Sequence, residues 1–161
     1  MKVGRQPRGV DGIVTRVLAV VVAACVLAAP AAAGVHVAFP TSDGGRIVGD
    51  LYGTAVQGVV LAHGGRFNKE SWQPQARILA SAGFRVLAID FRGYGESRGP
   101  GQRDPLSAPL KLDVLAAVDY LRATGVKKVS VIGASMGGEA AGDAAIIAQR
   151  PYSLDAVMLR A

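Results

Sequence analysis

The chain has 161 residues, half of them hydrophobic, which suits one packed domain and argues against disorder. Its formal charge is +6, from 18 basic and 12 acidic residues. Four of the basic residues (Lys2, Arg5, Arg8, Arg16) and one acid (Asp11) precede Gly34, so the remainder carries fourteen against eleven, a net +3. Arg46, Arg66, Arg77, Arg85 and Arg92 are scattered and form no run, which argues against a nucleic-acid face. One cysteine (Cys25) and two histidines (His36, His63) exclude an internal disulfide and a Cys- or His-rich metal site. No metal or organic cofactor is expected.

Residues 1–33 read as an address. A basic start leads into an apolar run from Val17 to Ala29, then Pro30 and Ala31-Ala32-Ala33-Gly34. A basic region, a short apolar core and small residues at the end describe a secretory signal peptide, with cleavage after Ala33. The run is short for a spanning helix, which needs about 20 residues. Ile13-Val14 could extend it into an uncleaved anchor, and Val22-Ala23-Ala24-Cys25 resembles a lipobox that would lipidate Cys25. The expected location is therefore periplasmic or secreted. Any membrane contact would run through an uncleaved or lipidated N-terminus.

Val35 to Phe39 alternates like a strand, Asp43-Gly44-Gly45 is a turn, and Ile47 to Tyr52 returns, so a hairpin is expected. His36 alternates with apolar neighbours and reads as a surface or half-buried residue. Gly58 to Ala62 is continuously apolar, as in a strand covered on both faces. Ser71 is expected to cap a helix running to about Ala82, with Pro74 in its first turn and Gly83 ending it. Arg85 to Ile89 is a second buried strand. A Gly/Pro-rich loop then reaches about Pro109. Leu110, Leu112, Val114, Leu115, Val118 and Leu121 form a helical stripe that Gly125 terminates. Lys128 to Ile132 is a strand, Gly137 to Gln149 an Ala-rich helix, and Leu154 to Leu159 a last strand. Strands alternating with helices predict an α/β fold with a mostly parallel, doubly wound sheet, made mixed by the hairpin.

Three segments carry chemistry. Gly133-Ala134-Ser135-Met136-Gly137 lies between a strand and a helix, the setting of a nucleophile elbow. The turn is sharp and strained, so its flanks must be small. The serine would stand at the C-terminal end of the sheet and at a helix N-terminus, whose dipole favours developing negative charge. His63-Gly64-Gly65-Arg66 follows an earlier strand. Asp90-Phe91-Arg92-Gly93-Tyr94-Gly95-Glu96-Ser97 follows the next one.

In order and spacing these segments resemble the α/β-hydrolase superfamily over roughly residues 59–145, most of the chain after Gly34. The resemblance implies a serine hydrolase acting on ester or related acyl substrates, with Ser135 as nucleophile. It implies that the N–H of Gly65 or Arg66 pairs with that of Met136 as an oxyanion hole. His63 would be structural, bonding within its own loop, and Asp90 and Arg92 would anchor a shaped loop beside the site. A small-molecule acyl compound is the expected partner. Esterase, thioesterase, peptidase and dienelactone-type activities stay open, and dehalogenase chemistry is disfavoured by Ser in place of Asp at the elbow.

The family order of the triad is Ser, acid, His. No histidine follows Ser135, and the acids that do are Glu139, Asp143 and Asp155. The first two lie on the helix leaving the elbow, and Asp155 starts the last strand, at the wrong end of the sheet. The expectation is thus an incomplete hydrolase domain over residues 34–161, cut short after its sixth strand and inactive as it stands. A non-catalytic binding member, or half of a split assembly, are the alternatives.

Overall fold

The computed structural model describes residues 33–104 and 107–148 and the backbone of a strand at 154–159. Residues 1–32 of the expected signal peptide, Cys25 among them, lie outside the described residues. Among those described, no helix is long and apolar enough to cross a membrane.

Six strands form one sheet: β1 (Val35–Pro40), β2 (Arg46–Tyr52), β3 (Gln57–Ala62), β4 (Arg85–Asp90), β5 (Lys128–Ala134) and β6 (Leu154–Leu159). Their spatial order is β1-β2-β4-β3-β5-β6. β1 pairs antiparallel with β2, and β2 with β4; β4, β3, β5 and β6 are mutually parallel. The mixed sheet expected from the hairpin and the βα alternation is therefore present. The hairpin loop is shaped by Thr41, whose hydroxyl accepts from Gly45 N–H at 2.6 Å and donates to Asp43 at 2.6 Å.

Three helices cover the sheet: α1 (Gln73–Ser81), α2 (Leu110–Ala123) and α3 (Met136–Ala148). Because side chains alternate along a strand, β3 and β4 divide between two cores. Val60, Ala62, Leu87 and Ile89 pack with α2 and α3. Val59, Leu61, Val86 and Ala88 pack with Ala76 and Leu79 of α1. That two-sided burial is why both strands read as unbroken apolar runs. The small residues Gly137, Gly138, Ala140, Ala141 and Ala144 line the buried side of α3.

Two local expectations are corrected. Ser71 does not cap α1. A 3-10 turn at Lys69–Trp72 precedes that helix, Trp72 occupies the cap position with no side-chain bond, and the Ser71 hydroxyl donates back to Asn68 C=O at 2.7 Å. A serine that bonds its own preceding turn is no longer available to the N–H groups ahead. Pro74 does lie in the first turn of α1. On α2, Leu112 and Leu115 are only half-buried, whereas Asp113 is fully buried. The polar residue takes the inner position because a buried arginine faces it from the loop after β4.

Candidate active site

The chain runs from β3 to β4 on one side, then returns to place β5 on the other side of β3. Ligand crevices in open α/β sheets form at such reversals, beyond the carboxyl ends of the strands. Here Ala62 of β3 and Gly133 of β5 are register partners, so the loops that follow them meet.

The loop after β5 is the elbow. Ser135 has φ of +47°, the one non-glycine residue in the left-handed region among those described. That conformation costs about 1–3 kcal/mol and is held by its surroundings. The carbonyl of Ser135 accepts from the N–H groups of Gly138 at 2.7 Å and Glu139 at 3.1 Å, which starts α3. The flanking glycines are obligatory. A Cβ on Gly133 would sit 2.6 Å from Gly138 N, and one on Gly137 would sit 2.6 Å from the His63 carbonyl oxygen. Ser135 is exposed, and it opens into a cleft of about 1000 Å³ also lined by Gly64, Gly65, Arg66, Tyr94 and Met136. Met136 is the first residue of α3, so its N–H has no acceptor within the helix.

The loop after β3 faces the elbow. A Cβ on Gly64 would lie 3.7 Å from Ser135 Cβ, and one on Gly65 would lie 3.7 Å from Met136 Sδ. Both are ordinary contact distances. These two glycines keep space open beside Ser135, and no clash forces them. His63 is fully buried, its Nδ1–H donates to Gly64 C=O at 2.8 Å, and its Nε2 accepts from Phe91 N–H at 3.2 Å. Both ring nitrogens are thus committed to backbone, and burial holds the imidazole below its ordinary pKa. Such a histidine organises its loop and has no free nitrogen for a proton from Ser135.

The loop after β4 braces the other two. The Asp90 carboxylate is buried and accepts from Lys69 N–H at 2.8 Å, and the Asp90 carbonyl accepts from Ser97 Oγ at 2.7 Å. Lys69 itself is buried; burial opposes its charge, but its bond to Glu70 and the charges of Asp90 and Asp50 hold its pKa above the ordinary value. Arg92 is buried and donates Nε and Nη2 to Asp113 at 2.9 and 2.6 Å, and Nη1 to Asp43 at 2.5 Å and to Pro100 C=O at 2.9 Å. The bond from Arg92 holds the Asp43 carboxyl down at about 2, whereas desolvation pushes the wholly buried Asp113 up. Sequence reading placed Asp90 and Arg92 here. It missed Asp43, Asp113, Lys69 and Tyr94. An acid inside the apolar stripe of α2 was the signal that could have flagged Asp113.

A model of the alpha/beta hydrolase family matches residues 59–159, from within β3 through the elbow to the end of β6. The chain belongs to the alpha/beta hydrolase family. Over 82 residues it is 42% identical to bifunctional epoxide hydrolase 2 of Sus scrofa, covering 50% of this chain and 14% of that protein. It is 33% identical over 101 residues to an epoxide hydrolase of Caballeronia sordidicola, covering 62% and 29%. Among solved structures, an esterase of Pyrococcus furiosus superimposes with a TM-score of 0.61 at 27% identity, over 69% of this chain and 45% of that one. An epoxide hydrolase from an endophytic Streptomyces does so at 0.61 and 31%, over 76% and 36%. The chain therefore spans less than half the length of each of these relatives.

Within this hydrolase-family frame Glu139 and Asp143, on α3, also line the cleft. Asp155 does not share that end. It pairs in register with Ser130, four residues before the last residue of β5 and toward the end of the strands away from the elbow.

Proposed function

We propose that Ser135 is the nucleophile of a serine hydrolase that acts on esters or related acyl compounds. The observation that carries this reading is the strained backbone of Ser135, at the junction of β5 and α3 and open to the cleft. A tetrahedral oxyanion would be held by the N–H of Met136 and that of Gly65 or Arg66. The dipole of α3 adds to that field.

The relatives include both esterases and epoxide hydrolases, and the nucleophile's chemistry separates the two. Attack of Ser135 Oγ on an acyl carbon gives an ester, which water can cleave at its carbonyl. Attack on an epoxide carbon would leave an ether on Ser135, with no carbonyl for water to attack, and the enzyme would be trapped. Ser135 therefore favours acyl substrates.

Residues 136–161 hold no histidine, and both nitrogens of His63 are engaged. A general base is worth about 10²–10⁴-fold, so the 161-residue polypeptide is proposed to turn over little by itself. A fluorophosphonate probe, read by mass spectrometry, tests both the nucleophile and the lack of a base in this polypeptide. Little adduct is expected in buffer alone, and added imidazole should raise labelling of Ser135 and leave Ser135→Ala unlabelled. An adduct elsewhere, or none with imidazole, rejects Ser135 as nucleophile. Fast labelling without imidazole rejects the missing-base reading.

Residues 1–33 are proposed to direct export, and the processed protein should begin at Gly34. N-terminal sequencing of secreted material would reject this if it began elsewhere.

A further inference from the structure

Two successive carbonyls of the loop after β3 are each held by an aromatic ring. His63 Nδ1–H donates to Gly64 C=O at 2.8 Å, and Tyr94 O–H donates to Gly65 C=O at 2.9 Å. The two rings meet edge to face, with centroids 4.7 Å apart. A trans peptide is planar, and its C=O and following N–H point in opposite directions. Fixing Gly64 C=O therefore fixes Gly65 N–H, and fixing Gly65 C=O fixes Arg66 N–H. The Tyr94 hydroxyl also lies 3.8 Å from Met136 Sδ, across the gap.

We propose that Tyr94 is a positioning residue for the oxyanion site: its hydroxyl orients the Gly65–Arg66 peptide and sets the gap between that peptide and Met136. This rests on the serine-hydrolase reading above. It assigns Arg66 N–H a defined direction in addition to that of Gly65.

The hydroxyl is not what holds Tyr94 in place. Tyr94 N–H donates to Phe91 C=O at 2.9 Å, and Tyr94 C=O accepts from Ser97 N–H at 2.9 Å. Gly93 and Gly95 on either side adopt φ of +88° and +48°, which a side chain would resist. Gly95 also packs against Asp90, where a Cβ would come within 3.0 Å of Cγ. Arg92, clamped by Asp43 and Asp113, fixes the loop from below. The segment is thus overdetermined without the phenol oxygen. Its one polar tip, half-buried on the cleft wall, is spent on a backbone carbonyl of the facing loop.

The test uses the 161-residue chain and its Tyr94→Phe variant, isotope-labelled for NMR, with phenylboronic acid as probe. Ser135 Oγ adds to the boron, its proton goes to solvent, and a tetrahedral boronate anion forms beside the donors. In the unmodified chain the amides of Met136 and of Gly65 or Arg66 should shift together on titration. In Tyr94→Phe the Gly65 carbonyl carbon and the Arg66 amide should move even before the probe is added, and boronate binding should weaken roughly three- to tenfold, the value of one neutral hydrogen bond. If those resonances stay put, or if binding is unchanged, the proposal is overturned. A variant that fails to fold also overturns it, because a positioning bond is not what holds the loop. If the unmodified chain shows no response at Ser135, Gly65 or Met136, the serine-hydrolase reading itself fails, a result distinct from an unaltered Tyr94→Phe.

Discussion

Gly137 packs its α-carbon against the carbonyl of His63, so that a Cβ added there would lie 2.6 Å from the carbonyl oxygen. This contact closes the end of β3 onto the first turn of α3 and brings the two loops of the candidate site together. The obstacle is backbone, which has little room to move. Gly137→Ala should therefore destabilise the protein by about 1–3 kcal/mol or more, as overpacking does. Gly65→Ala, whose Cβ would meet neighbours at 3.7 and 3.8 Å, should cost far less. Urea unfolding of the two variants checks this; equal midpoints would refute it.

His63 supplies a pH dependence with a definite sign. Burial lowers its pKa below the ordinary 6.5, so the unfolded chain binds a proton that the folded protein refuses. Stability from this residue is full above about pH 6.5 and falls as pH drops below it, by at most about 1.4 kcal/mol per unit. Chemical denaturation between pH 7.5 and 5.5 should show the slope, and His63→Gln should flatten it. A slope unaltered by that substitution would assign the titration elsewhere.

The buried pair of Arg92 and Asp113 should be costly to break. Asp113→Leu leaves the guanidinium with Asp43 and Pro100 but strips Nε and the Arg92 N–H of their acceptors. Removing one partner of a buried pair typically costs about 3–5 kcal/mol. Thermal unfolding of the variant measures it, and a shift of only a degree or two would contradict the assignment.

Asp43 gives the acid side of the same clamp. Its pKa is held at about 2, below the ordinary 3.8, so its contribution is present above pH 3.8 and lost as pH falls through about 2. Asp43→Asn should lose stability at neutral pH, and on acidification its further loss should be smaller than that of the unmodified chain, while His63 and Glu70 still titrate in both. Parallel acid titrations followed by near-ultraviolet circular dichroism test this.

Much of the candidate site's backbone geometry was legible in the sequence because its determinants are local. The elbow needs glycines within two residues of Ser135, and the strands and helices that flank it announce themselves by apolar runs and Ala-rich periodicity. The bond of His63 within its own loop was also within reach, since it runs to the next residue's carbonyl. Ser71 shows where a local rule misleads: its hydroxyl had a nearer acceptor in the turn behind it.

By itself the sequence determined the α/β alternation, the hairpin and the sharp glycine-flanked turn at Ser135. Only the tertiary structure decided that β4 inserts beside β2, that Asp43 reaches Arg92 across 49 residues, and that Tyr94 spans 29 to meet Gly65. Those pairings depend on which strands become neighbours. Strand order is settled by burying both faces of β3 and β4 at once, a condition on the whole sheet that no short window of residues records.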